Sequence, residues 1–304
     1  MGDIGRPEAG QRFAHFHVYS VLGRGGMGVV FSAYNVRDQR AVALKLLTVD
    51  LSKDPSSRDR FQRESRLARA LRSPHAVAVL DAGEHQGELW LEMPLLPGED
   101  LQDRLQREGP LPPGIALGIV RQVASALDSA HALGLIHRDV KPANVRLIDA
   151  SRPAVPHAFL GDFGLTRNVG AVDASLTGVT EIVGTAHYMA PEQVRRLPVG
   201  PRTDVYSLAC LLYTSLAGAP PFAGRDGPEV MHAHLMERPP PLVGRRLTIG
   251  QRLQWAVFTG LAKDPRQRPP TAGALAEACI RAHETDQYPG PPGSHRYGEG
   301  HAHR

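Results

Sequence analysis

The sequence predicts an α+β fold in two lobes, a small β-rich N-lobe with one helix and a larger, mainly α-helical C-lobe. Between residues 16 and 93 the chain alternates short runs typical of β-strands with one helical stretch. After Pro97 it changes to long helical stretches interrupted by Pro and Gly. A β-rich front followed by an α-rich back indicates two packed units, and we place their boundary near residues 94–98.

The composition is that of a globular protein and excludes several other classes. Of the 304 residues 42% are hydrophobic and 22% charged, which allows one large core or two unequal ones. The net charge is +4, and the sequence contains no run of five or six Lys/Arg, so we expect no nucleic-acid partner. The longest apolar run, residues 208–217, is too short to span a bilayer, so we expect no membrane segment and a soluble, cytoplasmic chain. Cys210 and Cys279 lie in apolar helical stretches and are expected to be buried thiols.

The N-lobe elements follow from the apolar pattern along the chain. Residues 1–15 are rich in Gly, Pro and charge, and we expect a flexible lead-in. The expected strands, with one helix between the third and the fourth, are 17–22, 29–34, 41–47, 77–82 and 89–93.

The single N-lobe helix carries an acidic residue on its apolar face. Phe61, Ala68 and Leu71 recur at helical spacing, and Glu64 lies on the same face. Burying a carboxylate without a partner costs several kcal/mol. Lys45, on the third β-type run, is the natural partner, so we expect a Lys45–Glu64 ion pair.

A glycine-rich segment joins the first two β-type runs. Residues 23–30 read G-x-G-x-x-G-x-V, with Gly23, Gly25 and Gly28 followed by Val30. Dinucleotide-binding folds use similar glycines, but there the third glycine opens a helix, whereas here it leads into a β-type stretch. The segment therefore predicts a turn between two strands.

Two C-lobe segments carry the strongest chemical signal. Residues 137–144 read His-Arg-Asp-Val-Lys-Pro-Ala-Asn, and Asp-Phe-Gly follows at 162–164. They supply two carboxylates, an ammonium and an amide, which phosphoryl transfer from a Mg-bound nucleotide needs. With Val-Ala-Leu-Lys at 42–45 upstream and Ala-Pro-Glu at 190–192 downstream, the chain resembles the bacterial branch of the eukaryotic-like Ser/Thr protein kinases.

The resemblance covers residues 16–284 and implies a two-lobed protein kinase fold with an N-lobe at 16–94 and a C-lobe at 97–284. It implies transfer of the γ-phosphate of ATP to Ser and Thr hydroxyls of protein substrates. Asp139 would be the catalytic base and Lys141 would neutralise the γ-phosphate, while Asn144 and Asp162 would bind Mg²⁺. The remaining residues, 285–304, are rich in Pro, Gly and His and are expected to be a disordered tail.

The resemblance also implies an ATP site between the lobes. The Lys45–Glu64 pair would hold the lysine against the phosphates, and the Pro94 carbonyl and Leu96 N–H would bond the adenine edge. Proline at 94, where the family usually has Glu, removes only an N–H, so the carbonyl remains. The expected cofactor-binding residues are Leu22, Gly23, Gly25, Gly28, Val30, Ala43, Lys45, Glu64, Met93, Pro94 and Leu96.

Regulation and architecture follow from the same resemblance. Arg138 would bind a phosphate on the loop at 165–189, where Thr177 and Thr180 are the expected phosphoacceptors, and a homodimer would allow trans-autophosphorylation. Structural roles are expected for His137, Phe163, Asp204 and a Glu192–Arg268 ion pair.

Besides Pro94, three positions depart from the family pattern. Residues 151–157 lengthen a hairpin, and Ala209 stands where Gly is usual. Arg146 occupies the position of the apolar floor beneath adenine. Its side chain either stacks under the adenine ring or turns to the rim of the cleft, in which case Leu147 and Ala43 would form the surface beneath adenine. We favour the rim, because an Arg stem buries along a wall with its head in water.

Two other function classes remain to be weighed. A pseudokinase would use the same fold as a nucleotide-binding scaffold, but loss of Lys45, Asp139 or Asp162 would have indicated it, and all three are present. A small-molecule kinase, such as an aminoglycoside phosphotransferase, usually lacks the Gly-Thr and Ala-Pro-Glu segment at 184–192.

Overall fold

The computed structural model describes residues 7–25, 28–47, 55–149, 154–163, 186–242 and 249–287. These residues form the two predicted lobes. The first three residues of the expected tail, 285–287, belong to the last helix, and the remainder at 288–304 lies outside the described residues.

The N-lobe is built on one antiparallel sheet in the order β1-β2-β3-β4-β6-β5. Its strands are β1 (Arg12–Phe13), β2 (Phe16–Gly25), β3 (Gly28–Asn35), β4 (Arg40–Leu47), β5 (Asp81–His85) and β6 (Glu88–Pro94). Helix α1 (Pro55–Ala70) lies in the chain between β4 and β5. Apolar side chains of the sheet form a core around Phe16, Phe31 and Trp90.

The glycine-rich segment connects β2 and β3, as the sequence predicts. Gly25 pairs with Gly28 at the end of this hairpin. Gly28 has a φ of 144°, and a Cβ there would lie 1.9 Å from the Leu46 carbonyl oxygen. The position therefore excludes any side chain, because both the backbone angle and the close approach of β4 require glycine.

Two predicted boundaries in the N-lobe are wrong. Phe13 belongs to the segment predicted as a flexible lead-in, yet it pairs with Phe16 across β1 and β2 and is buried. The strand predicted at 77–82 begins only at Asp81. Before that point the chain contacts the C-lobe, because the backbone N–H of Val77 donates to the Leu160 carbonyl. Val77 is therefore hydrogen-bonded outside the N-lobe sheet.

The C-lobe is mainly helical, with one small sheet at the cleft. The helices are α2 (Leu101–Glu108), α3 (Pro113–Ala132), α4 (Pro191–Val194), α5 (Pro201–Ala217), α6 (Gly227–Met236), α7 (Gln251–Gly260) and α8 (Ala272–Gln287). The sheet is β7 (Glu99–Asp100), β8 (Val145–Ile148) and β9 (His157–Leu160). Within the described ranges, each helix is too short or too polar to cross a bilayer.

Helix α5 is the centre of the C-lobe. Almost every residue is buried, which is typical of a helix surrounded by others. Gly260 of α7 packs against Ala209 of α5, and a Cβ at 260 would lie 2.7 Å from that of Ala209. The alanine found where the family has glycine is thus accommodated by a glycine on the facing helix. Cys210 and Cys279 are buried free thiols, as expected.

Candidate active site

The segment 137–144 is held in place by a buried carboxylate from α5. Asp204 is fully buried and accepts hydrogen bonds from the backbone N–H groups of His137 and Arg138, both at 2.8 Å. His131, in the last turn of α3, contacts the same carboxylate through Nε2 at 2.7 Å. This structural role was expected for Asp204 but not for His131, whose only signal in the sequence is its position shortly before the motif.

His137 supports the loop and faces the core. Its side chain is fully buried, its Nε2 lies 2.8 Å from the Gly161 carbonyl oxygen, and its ring contacts Phe163. Burial lowers the pKa of His137, against the opposing influence of Asp204. A neutral imidazole packed on Phe163 agrees with the structural roles expected for both residues.

Two polar side chains of the segment converge on the Asp139 carboxylate. The Lys141 ammonium lies 3.0 Å from Asp139 Oδ2. Asn144 donates through Nδ2 to the Asp139 backbone carbonyl at 2.7 Å and to its Oδ2 at 3.2 Å. The Asp139 side chain is thereby oriented by a cation and an amide, both from its own loop.

Asp162 follows β9 of the C-lobe and pairs with Lys45 of the N-lobe. Lys45 Nζ lies 2.7 Å from Asp162 Oδ1. Burial on its own raises the pKa of Asp162, but the Lys45 ammonium outweighs it and holds the pKa below its ordinary value. The aspartate is therefore a carboxylate at neutral pH.

The predicted Lys45–Glu64 ion pair is wrong for this structure. Glu64 lies on the face of α1 that points towards the cleft, as expected, but its Oε1 is 3.4 Å from Nη1 of Arg138. Lys45 instead pairs with Asp162. Lys45 and Glu64 therefore each contact a different group of opposite charge. Neither charge is buried without a partner, so the cost of burying an unpaired charge is avoided although the expected pair is absent.

The residues predicted to surround adenine lie largely on β4 and the end of β6. Ala43 pairs with Met93 and Val42 with Pro94 across these strands. Ala43 and Met93 are buried, whereas Leu22 on β2 is half exposed at the opening. The predicted nucleotide-binding residues from both strands therefore lie side by side where β6 ends.

A small cavity lies behind Met93. Its volume of about 20 Å³ is enough for a water molecule but not for a base. Val77 and Val79, which the sequence analysis did not identify, line it together with Lys45 and Phe163.

Arg146 turns away from the position expected for the adenine floor. Its Nε donates to the Pro97 carbonyl at 3.2 Å, just after the segment that links the lobes. This geometry agrees with the rim position that we favoured. The expectation that Leu147 would replace it as floor is wrong, because Leu147 is fully buried in the C-lobe core.

The predicted Glu192–Arg268 pair is present and bidentate. Both guanidinium–carboxylate distances are 2.8 Å, and Thr203 donates to the same carboxylate. Burial raises the pKa of Glu192, but Arg268 lowers it further, so the net shift is downward. Nearby, Gln193 donates to the Arg138 carbonyl at 2.9 Å, a link between α4 and the loop that sequence reasoning missed.

The predicted phosphoacceptors Thr177 and Thr180 lie outside the described residues, as does Gly164.

The β-rich lobe carries a glycine hairpin and a lysine, and the helical lobe carries an Asp-Lys-Asn loop and a second aspartate. This combination defines the class of two-lobed phosphotransferases. Comparison with known proteins makes this specific. The family described as protein kinase domain matches residues 16–281, and the chain belongs to that family.

Named relatives come from mycobacteria. The serine/threonine-protein kinase PknH of Mycobacterium tuberculosis is 42% identical over 284 residues, which is 93% of this chain and 44% of the relative. PknE of the same organism is 42% identical over 282 residues, 93% of this chain and 48% of the relative. The chain thus spans about half the length of these relatives.

Solved structures show the same fold. The crystal structure of the PknI kinase domain of Mycobacterium tuberculosis superposes with a TM-score of 0.72 at 32% identity, covering 91% of this chain and all of that one.

Proposed function

We propose that this chain is an active serine/threonine protein kinase that transfers the γ-phosphate of ATP to Ser and Thr hydroxyls of proteins. The observation that carries the proposal is the convergence of Lys141 and Asn144 on the Asp139 carboxylate, at 3.0 and 3.2 Å. The names of the mycobacterial relatives support the choice of protein hydroxyls as acceptors.

In this proposal Asp139 accepts the proton of the acceptor hydroxyl. Its carboxylate is held by Lys141 and Asn144, so it is positioned before substrate arrives. Lys141 also provides positive charge where the transferred phosphoryl group would pass. Because little covalent chemistry falls to the protein in phosphoryl transfer, positioning and charge are its main contributions.

The donor set fits a magnesium–nucleotide complex, which would supply the activated phosphoryl group and neutralise its charge. Both hydrogen bonds of the Asn144 side chain use Nδ2, which leaves its amide oxygen as a donor atom for a metal. With the Asp162 carboxylate it forms the pair of hard oxygen ligands that Mg²⁺ prefers. Lys45, the glycine hairpin and the backbone of Pro94 and Leu96 would hold ATP.

We further propose that loop phosphorylation activates the kinase by an exchange of ion pairs. A phosphate on Thr177 or Thr180 would attract Arg138 more strongly than the Glu64 carboxylate does, because it carries more charge. Glu64, 3.4 Å from Arg138 in this structure, would then be free to pair with Lys45. Asp162 would in turn exchange Lys45 for the metal.

The substrates proposed are proteins, and a second copy of the chain is the first candidate, through trans-autophosphorylation. The proposed location is the cytoplasm, where ATP is available.

The direct test is incubation of purified protein with Mg-ATP, followed by mass spectrometry and phosphoamino-acid analysis. We expect phosphoserine and phosphothreonine, with Thr177 or Thr180 among the sites. Tight ATP binding without any phosphate transfer would favour the pseudokinase instead. Transfer to an aminoglycoside but not to protein would favour the small-molecule kinase.

A further inference from the structure

The outer face of helix α1 carries a row of arginines. The helix contains five arginines and two acidic residues. Arg63, Arg66 and Arg69 recur every three residues on its exposed side, and Arg72 continues the row just after its end. With a rise of 1.5 Å per residue, a row of four such positions extends over about 13 Å.

Only part of this row is neutralised. Arg69 pairs with Asp81 at 2.9 Å, at the start of β5. Arg66 and Arg72 instead donate to backbone carbonyls, those of Gln62 and of Arg69 and Leu71. In the described part of the chain, neither these two nor Arg63 has a carboxylate within ion-pair distance.

We propose that this row, made of Arg63, Arg66 and Arg72 with Arg69 between them, is a docking surface for a carboxylate-rich segment of a partner protein. Guanidinium groups bind carboxylates with two parallel hydrogen bonds. Because the arginines are spread along the helix instead of converging on one point, they match a series of single charges. A single phosphate group would reach two of them at most.

The surroundings of the row disfavour a lipid surface as the partner. The large hydrophobic side chains that are exposed in the described residues all lie outside α1, so the helix offers nothing to insert into a lipid surface. Asp81 and Glu84 on β5 are already paired with Arg69 and Arg58, so neither carboxylate neutralises Arg63, Arg66 or Arg72. A short acidic protein segment can pair with these arginines without an apolar anchor.

The test measures binding in the absence of ATP, so it does not depend on catalysis. The probe is a fluorescein-labelled helical peptide with glutamates along one face, followed by fluorescence anisotropy. The first comparison is the same peptide with glutamine in place of glutamate. The other probes are a singly phosphorylated peptide, anionic phosphatidylserine vesicles and single-stranded DNA.

The test variant is Arg63→Gln with Arg66→Gln, because Gln removes charge and keeps helix propensity. The matched control is Arg121→Gln with Arg281→Gln, two exposed arginines on α3 and α8. We expect the glutamate peptide to bind wild type, with an affinity that falls as salt rises, and the test variant to bind at least about fivefold more weakly. The control variant should stay within about twofold of wild type.

Three results would overturn the proposal. One is the absence of saturable binding by the glutamate peptide. Another is equal weakening in the test and control variants, which would reflect net charge alone. The third is tighter binding of the vesicles, the DNA or the phosphopeptide than of the glutamate peptide.

Discussion

At the scale of single residues, the site contains backbone conformations that residues other than glycine rarely adopt. Arg138 has a φ of 66° and Asp162 a φ of 56°, both in the left-handed region. Such conformations cost about 1–3 kcal/mol and persist where the surroundings fix them. Here the Asp204 carboxylate fixes the first and the Lys45 ammonium holds the side chain of the second.

Asp139→Asn should reduce autophosphorylation by about 10²-fold or more while leaving ATP binding nearly unchanged. The amide cannot accept the hydroxyl proton, but the phosphate contacts of the nucleotide are elsewhere. Phosphate incorporation and the ATP Kd are measured on the same preparation. Asp149→Asn, the same change on an exposed residue of the same lobe, is the control. Near-native turnover of Asp139→Asn would remove this residue from the mechanism.

Arg146→Leu should leave ATP binding unchanged or make it tighter. The guanidinium is already bonded to Pro97, so the base loses no stacking partner and gains an apolar floor. Titration of ATP with wild type and variant measures the effect, with Arg281→Leu on the distant helix α8 as control. A Kd that rises tenfold, about 1.4 kcal/mol, would show that Arg146 stacks beneath the base.

At the scale of elements, the sequence predicted most strands and the hairpin glycines because their causes are local. Alternation of apolar residues and the spacing of the glycines are readable from neighbours in the chain. The strand at Asp81–His85 was placed too early, because Val77 bonds to Leu160, a partner far away in sequence. Likewise, the apolar face of α1 predicted that Glu64 needs a cation, but the choice of Lys45 was wrong, because the actual partner, Arg138, lies 74 residues away in the chain.

Helix α1 and the loop at 165–189 should act together in activation. Changing both Thr177 and Thr180 to Ala should lower activity by about tenfold or more, because Arg138 then keeps its contact with Glu64. Kinase activity on a protein substrate is measured after preincubation with Mg-ATP. Ser175→Ala in the same loop is the control. Full activity of protein whose loop carries no phosphate would contradict this mode of activation.

The contact between α5 and α7 depends on one glycine. Gly260→Ala would bring two Cβ atoms within 2.7 Å of each other, and the helices must separate or shift. We expect a loss of about 1–3 kcal/mol in the free energy of unfolding, measured with urea. Gly114→Ala, in a helical position with open space around it, should be neutral or stabilising by up to about 1 kcal/mol. Equal effects of the two changes would rule out the packing explanation.

At the scale of the whole molecule, buried histidines link stability to pH. Burial is the largest cause of a lowered pKa at His15, His75, His137, His187 and His234. In the unfolded chain these groups bind protons below about pH 6.5, whereas in the folded protein they bind protons only at lower pH. The unfolded state then binds more protons, so stability is complete above pH 6.5 and decreases as the pH falls below it.

His234 provides the sharpest test of this link. It is fully buried in α6, its Nδ1 lies 2.8 Å from the Tyr206 hydroxyl, and burial, aided by the Lys263 charge, lowers its pKa to about 3. Between about pH 7.5 and 5.5, it should account for about 1.4 kcal/mol of the decrease in the free energy of unfolding. Urea unfolding of His234→Asn should show a pH dependence smaller by about this amount. Asn can still accept from Tyr206, which favours a folded variant.

His232→Asn is the matched control, since His232 is exposed on the same helix. It should keep the wild-type difference between the two pH values. If His234→Asn also keeps the full difference, protons bind elsewhere on acidification. The lowered pKa of His234 would then not contribute to the acid sensitivity of the fold.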